Sequence, residues 1–188
     1  MRYADDLVVV CRTEAEAHAA LARLRGILAE LGLAPKEAKT RLVHVREGGE
    51  GFDFLGFEHR WVRARRPSVR HVTFLARWPS SKAMSHARER LRALTARERQ
   101  RLSVEVVVAE VNAFLRGWAG YFRYGHSSRH FGRIGYFALS RLAIFVARRH
   151  GWSRGRGWVA VVRQPRERLG LIALPRTVSP RPLRDWHG

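Results

Sequence analysis

The sequence predicts an α+β chain in three parts: a small sheet with one helix and a hairpin, a three-helix bundle, and a basic, largely irregular tail. Three observations predict it. An apolar run, Leu7 to Cys11, follows directly behind two acids near the start. Apolar residues then recur at spacings of three and four between Met84 and Phe145, which is the period of a helix face. After residue 150, arginine, glycine and tryptophan interleave with several prolines.

Residues 5–11 read as a short buried strand, with Cys11 a small core residue that has no second cysteine to pair with. A helix follows. Thr13 and Glu16 form a capping-box pair, Leu21, Leu24, Leu28 and Leu31 make one apolar stripe, and Gly32 stops it. Lys39 to Val45 read as a second strand, Gly48-Gly49-Glu50-Gly51 as a turn, and Phe52 to Phe57 with Trp61-Val62 as a hairpin. Residues 1–66 therefore form one sheet layer, and residues 67–79, marked by Pro67 and Pro79, an extended linker.

Residues 80–150 are helical. Ser80 or Ser81 caps a helix with Met84, Ala87, Leu91 and Leu94 on one face. A second helix carries Val107, Val111, Phe114, Trp118 and Tyr121, and a third Ile134, Ala138, Leu142 and Phe145. Short connections make these a small bundle, with Trp118 and Tyr121 in its core. Gly117 and Gly120 cost helix stability, so close helix packing or backbone approach to a ligand is expected there. The tail, residues 151–188, reads as loop and short strand.

Charge narrows the function. The 188 residues hold 36 Lys and Arg against 16 Asp and Glu, a formal net charge of +20. Charge of this size, mostly arginine, points to a polyanion and most often to nucleic acid, without separating RNA from DNA. No apolar stretch reaches the roughly 18 residues of a membrane span. Asp5 and Asp6 stand where a secretory signal would be cationic, so a cytoplasmic protein is expected. His126 and His130 lie four apart, but no third ligand has suitable spacing for a metal. The segment Gly151 to Trp158 interleaves Arg, Gly and Trp, which suits backbone contact and base stacking.

The acids Asp5 and Asp6 are the chemical centre of the sequence. Adjacent carboxylates on a strand point to opposite sides, but a hairpin turn or strand start can bring both near one Mg²⁺. A pair of surface acids at a turn gives the same spelling. The surrounding motifs add a resemblance. Tyr3-Ala4-Asp5-Asp6 before an apolar run resembles the active-site motif of reverse transcriptases. Gly32-Leu33 with Lys39-Thr40 resembles the segment after the palm helix, and Phe54-Leu55-Gly56-Phe57 the primer-grip hairpin. Asn112 to Tyr121 resembles the signature of the maturase (thumb or X) domain of group II intron reverse transcriptases. Ser80-Ser81-Lys82 and Tyr124 to Ser128 fit the same pattern, and the motifs run in the family's order over roughly residues 2–150.

This resemblance implies a partial reverse-transcriptase palm over 1–66, a three-helix thumb over 80–150, and a basic tail. It implies RNA-templated DNA synthesis by two-metal nucleotidyl transfer in the full-length family, together with assistance to intron splicing. Asp5 and Asp6 become catalytic carboxylates for Mg²⁺. Tyr3, Ala4, Lys39, Leu55 and Gly56 become nucleotide- or primer-binding residues, and Lys82, Arg116, Arg123, Arg154 and Arg156 RNA-binding residues. The implied partners are group II intron RNA and an RNA template with DNA primer. In the family, the fingers and a strand with the other catalytic aspartate precede the Tyr3 motif. The chain alone is therefore expected to bind RNA without polymerase activity. The alternatives are the C-terminal half of a split reverse transcriptase, active with a separate N-terminal chain, and a non-catalytic RNA-splicing factor.

Overall fold

The structure, a computed structural model, describes residues 2–3, 5–64, 70–162 and 170–174. It divides into two compact units, Met1–Ala76 and Arg77–Gly188.

In the first unit, β1 (Arg2–Tyr3) and β2 (Asp6–Leu7) form a minimal antiparallel hairpin, with Arg2 opposite Leu7 and Tyr3 opposite Asp6. The strand expected over residues 5–11 is thus cut to two residues, and it is not buried. Leu7, Val9 and Val10 are exposed, and Cys11 is half-buried. The apolar run has the composition of a buried strand, but the described residues place no neighbouring strand along it beyond Leu7.

Helix α1 (Glu14–Glu30) starts as the capping pattern predicts, with the Glu16 amide donating to Thr13 Oγ1 at 3.2 Å. It ends at Gly32, whose φ of +67° closes a Schellman turn in which Leu33 N donates to Leu28 O at 2.8 Å. Its stripe is only half covered. Leu21, Leu24 and Leu28 are intermediate, Leu31 is exposed, and no residue of the helix is buried.

The second strand expected over Lys39 to Val45 is absent. A 3-10 helix, Glu37–Lys39, takes its place, followed by irregular chain. The cause is local: Lys36 O accepts from Lys39 N, Thr40 N and Thr40 Oγ1, so this backbone is satisfied without a sheet partner. Arg25 fixes the turn to α1 through both Glu37 oxygens, at 2.8 and 3.0 Å.

The predicted hairpin forms as β3 (Phe52–Phe54) and β4 (Phe57–Arg63), antiparallel with Phe54 opposite Phe57. Leu55 and Gly56 make its two-residue turn with φ of +49° and +76°, the paired positive dihedrals that match strand twist. Leucine there is strained, since its Cβ crowds the carbonyl in the left-handed region. A third strand, β5 (Thr73–Pro79), completes a sheet of order β3-β4-β5. It replaces most of the extended linker expected over 67–79; residues 65–69, including Pro67, lie outside the described residues.

The second unit follows the helical period closely. Helix α2 (Ser81–Leu94) is capped by Ser80, whose Oγ accepts from Ala83 N at 3.2 Å, and it buries Met84, Ala87, Leu91 and Leu94. Helix α3 (Val104–Phe122) buries Val107, Val111, Leu115, Trp118 and Phe122, and α4 (Ser128–Arg149) buries Phe131, Ile134, Ala138, Leu142 and Phe145. Each fully buried residue of this size is worth about 1.5–3 kcal/mol. The predicted core of the three helices is right except at Phe114, which is half-buried, and Tyr121, which is 52% exposed. Phe122, four residues after Trp118, takes the inward place and packs on the Trp118 ring at 5.0 Å.

The tail expected to be loop and strand instead opens with a fourth helix of this unit, α5 (Arg154–Val162). Gly151, at φ +64°, turns the chain out of α4, and Trp152 N donates to Ala147 O at 2.8 Å. Gly157 then lies against α4, where an added Cβ would come within 2.5 Å of Ala147 Cβ and 2.6 Å of Ala143 O. The glycines that read as loop formers therefore turn the chain and permit a close helix crossing. Residues 163–169 and 175–188, with Pro165, Pro175 and Trp186, lie outside the described residues.

Candidate nucleic-acid interface

The predicted catalytic pair sits at the tip of the β1–β2 hairpin. Asp5 occupies the turn and Asp6 the first position of β2, both exposed, with Tyr3 opposite Asp6 and 65% exposed. Ala4 lies outside the described residues. Asp5 and Asp6 are therefore adjacent at the hairpin tip, one in the turn and one in the strand. Among the described residues, however, no group of three His, Cys, Asp or Glu is placed to hold a metal ion. Asp5 and Asp6 offer the carboxylate oxygens that Mg²⁺ prefers.

The other predicted nucleotide and primer residues are not gathered with them. Lys39 is exposed at the end of the 3-10 helix, while Leu55 and Gly56 form the turn of a separate sheet. A shallow groove of about 470 Å³ in this unit is lined by Glu47, Gly48, Arg60, Trp61, Val62 and Arg63, none of them a predicted site residue. The Arg63–Glu47 pair across it, at 2.5 and 2.7 Å, holds the Glu47 carboxyl below the usual carboxylate range.

The predicted RNA-binding residues fare differently. Lys82 is exposed in the first turn of α2, Arg116 on α3, and Arg123 at the α3 C-terminus, its guanidinium 4.8 Å from the Tyr124 ring centre. Arg154 and Arg156 are exposed in the first turn of α5, where the helix dipole adds positive potential. Arg156 lies 4.7 Å from the ring centre of Trp152, which in turn stacks on His150 at 4.5 Å and 22°. The expected mixture of cations and aromatic faces in residues 151–158 is thus present as a folded feature.

A broader signal was missed by motif reading. Residues 111–162 contain nine arginines and no Asp or Glu. The fold spreads this acid-free span over the second half of α3, all of α4 and α5. Seven of its arginines are exposed (Arg116, Arg123, Arg129, Arg133, Arg148, Arg154 and Arg156), while Arg149, also exposed, is spent on the carbonyls of Gln100 and Leu102 at 2.9 and 2.6 Å. A count of acids along the sequence would have found it. Gly117 and Gly120 lie on this unit's open surface, where an added Cβ would meet nothing within 4 Å, so close packing by another described helix does not explain them.

Two histidines singled out from sequence have structural roles. His126 N donates to Arg77 O at 2.6 Å, and its Nδ1 accepts from Arg77 N at 3.4 Å. Burial pushes its imidazole below the ordinary histidine value. His130 stacks on Trp78 with ring centres 6.2 Å apart. Asn112, the first residue of the signature segment, is buried and clamps a later piece of chain: its Nδ2 donates to Gly170 O at 2.5 Å and its Oδ1 accepts from Ile172 N at 2.9 Å.

Residues 111–162, spread over α3, α4 and α5, carry nine arginines and no acid, a charge pattern of the kind that attracts polyanions. Residues 84–162 match the family model of the group II intron, maturase-specific domain, which supports a group II intron maturase-related function. The match begins inside α2 and ends with α5. Comparison with curated proteins returns no match. No described helix is long and apolar enough to cross a membrane.

Proposed function

We propose that the chain is an RNA-binding maturase component that grips group II intron RNA through its second unit and does not by itself extend a primer. The observation that carries this reading is the acid-free span of nine arginines folded onto α3, α4 and α5 inside the maturase-specific domain. Lys82, Arg116, Arg123, Arg154 and Arg156 contact phosphate, and the Trp152 and Tyr124 rings with their arginines offer stacking faces. Asp5 and Asp6 correspond to palm carboxylates that would hold Mg²⁺, which in a completed centre would polarise phosphate oxygens. With two carboxylates and no third ligand among the described residues, no nucleotidyl transfer follows from this chain.

The test is binding of intron RNA across a salt titration. Five phosphate contacts give log K against log salt a slope of about −3.5 to −4.5. A flat response would overturn the reading.

One observation favours a second reading, in which the first unit completes a reverse-transcriptase palm with a separate N-terminal chain. Helix α1 buries no residue, and Leu7, Val9, Val10, Leu31 and Leu33 are exposed beside a stripe built for burial. Under that reading, co-expression with a chain supplying the missing aspartate restores Mg²⁺-dependent primer extension, which substitution of Asp5 by Ala abolishes. Absence of extension by the co-purified pair would count against it.

A further inference from the structure

A second arginine cluster lies at the C-terminal end of α2, outside the five residues assigned to phosphate above. Arg141 of α4 is half-buried. Its Nε donates to Thr95 Oγ1 at 3.0 Å and one terminal nitrogen donates to Thr95 O at 3.3 Å. Thr95 is the C-cap of α2, so this guanidinium is drawn to the negative end of a helix dipole. That accounts for Arg141 but not for its neighbours. Arg92, one turn before Thr95 on α2, lies 5.4 Å from the ring centre of Phe137, which is one turn before Arg141 on α4. Arg148 lies two turns further along α4, on the Phe137–Arg141 side by helical spacing.

None of the three makes an ion pair with a carboxylate among the described residues. Burial, then the charges of Arg148 and Arg92, hold the Arg141 guanidinium below its ordinary value, so the three charges oppose one another in the free protein. Three like charges around a half-buried fork, with Arg92 and Arg148 exposed and the remaining Arg141 donors uncommitted, cost stability unless an anion joins them.

We propose that Arg92, Arg141 and Arg148 form a phosphate clamp between α2 and α4. It rests on the RNA reading above for its physiological ligand, a backbone phosphate, and extends the RNA contact from the five residues named there to the α2–α4 face. Arg141 supplies a pre-oriented fork because Thr95 fixes its plane; Arg92, steadied by Phe137, and Arg148 close from either side.

The experiment uses the full chain and the double variant Arg92→Gln with Arg148→Gln, both exposed positions that leave the Arg141–Thr95 cap intact. Thermal unfolding with inorganic pyrophosphate isolates the anion site, and intron RNA binding across a salt titration reads its use. The expected result is a pyrophosphate-induced rise in Tm in the parent that is lost in the variant. The RNA salt slope should also become shallower by about 0.7–0.9, the effect of one lost phosphate contact. Stabilisation by pyrophosphate that survives in the variant would overturn the clamp, as would an unchanged slope in a parent that binds RNA. A parent that fails to bind RNA but keeps arginine-dependent stabilisation by pyrophosphate would retain the anion site and overturn the RNA reading instead.

Discussion

Single residues in this chain show where composition and environment part. Tyr121 and Phe122 are adjacent aromatics, and only the second is core, because the buried positions of α3 run 111, 115, 118, 122. Leu55 holds a left-handed backbone that glycine or asparagine would adopt more easily, a strain kept at the turn that resembles the primer grip. His126 carries a pH consequence. Its Nδ1 accepts a backbone N–H, so the proton resides on Nε2, and protonating Nδ1 removes that acceptor. With the folded value depressed below the ordinary 6.5, the unfolded chain binds more protons just below that pH. Stability contributed by neutral His126 is therefore complete above about pH 7 and falls as the solution is acidified through 6.5 toward the folded value. Thermal unfolding at pH 7.5 and 5.5 should show a larger loss of Tm in the parent than in His126→Gln; equal losses would remove His126 from that role.

At the level of elements, local rules gave most of the second unit and little of the first. Ser80 and Ser103 cap α2 and α3 through their hydroxyls, and the apolar periods of α2, α3 and α4 locate their buried faces. In the first unit, α1 and the 52–57 hairpin were legible from a capping box and a turn, but Leu7 to Cys11 and Lys39 to Val45 were not. A strand is made by its partners, and β propensity without a neighbouring ladder leaves the backbone to local bonds such as those around Lys36. Helix α5 was illegible for the opposite reason. Its two glycines argue against a helix, and only the crossing on α4 explains Gly157. Substituting Gly157 by Val should separate α5 from Ala143 and Ala147 and destabilise the second unit by about 1–3 kcal/mol, read by denaturant unfolding. A neutral effect would show that the crossing is not tight.

At the scale of the whole molecule, the two units divide the chain's inheritance. The first carries motifs that resemble those of a polymerase palm on sparsely buried elements, and the second is a well-packed helical unit with an acid-free, arginine-rich span over residues 111–162. The site was legible as motifs but not as geometry: Asp5 and Asp6 were found by spelling, whereas the arginine surface emerges once residues 111–162 are distributed over three helices. The proposed RNA grip lies in the second unit, and a splicing assay separates the two directly. Precursor group II intron RNA is incubated with the parent chain, with Asp5→Ala/Asp6→Ala, and with Arg116, Arg123, Arg154 and Arg156 changed to Gln. Stimulation of splicing should be unchanged by the aspartate substitutions and lost with the arginine substitutions. Loss of splicing with the aspartates, or its survival without the four arginines, would contradict an RNA grip centred on the maturase-specific domain.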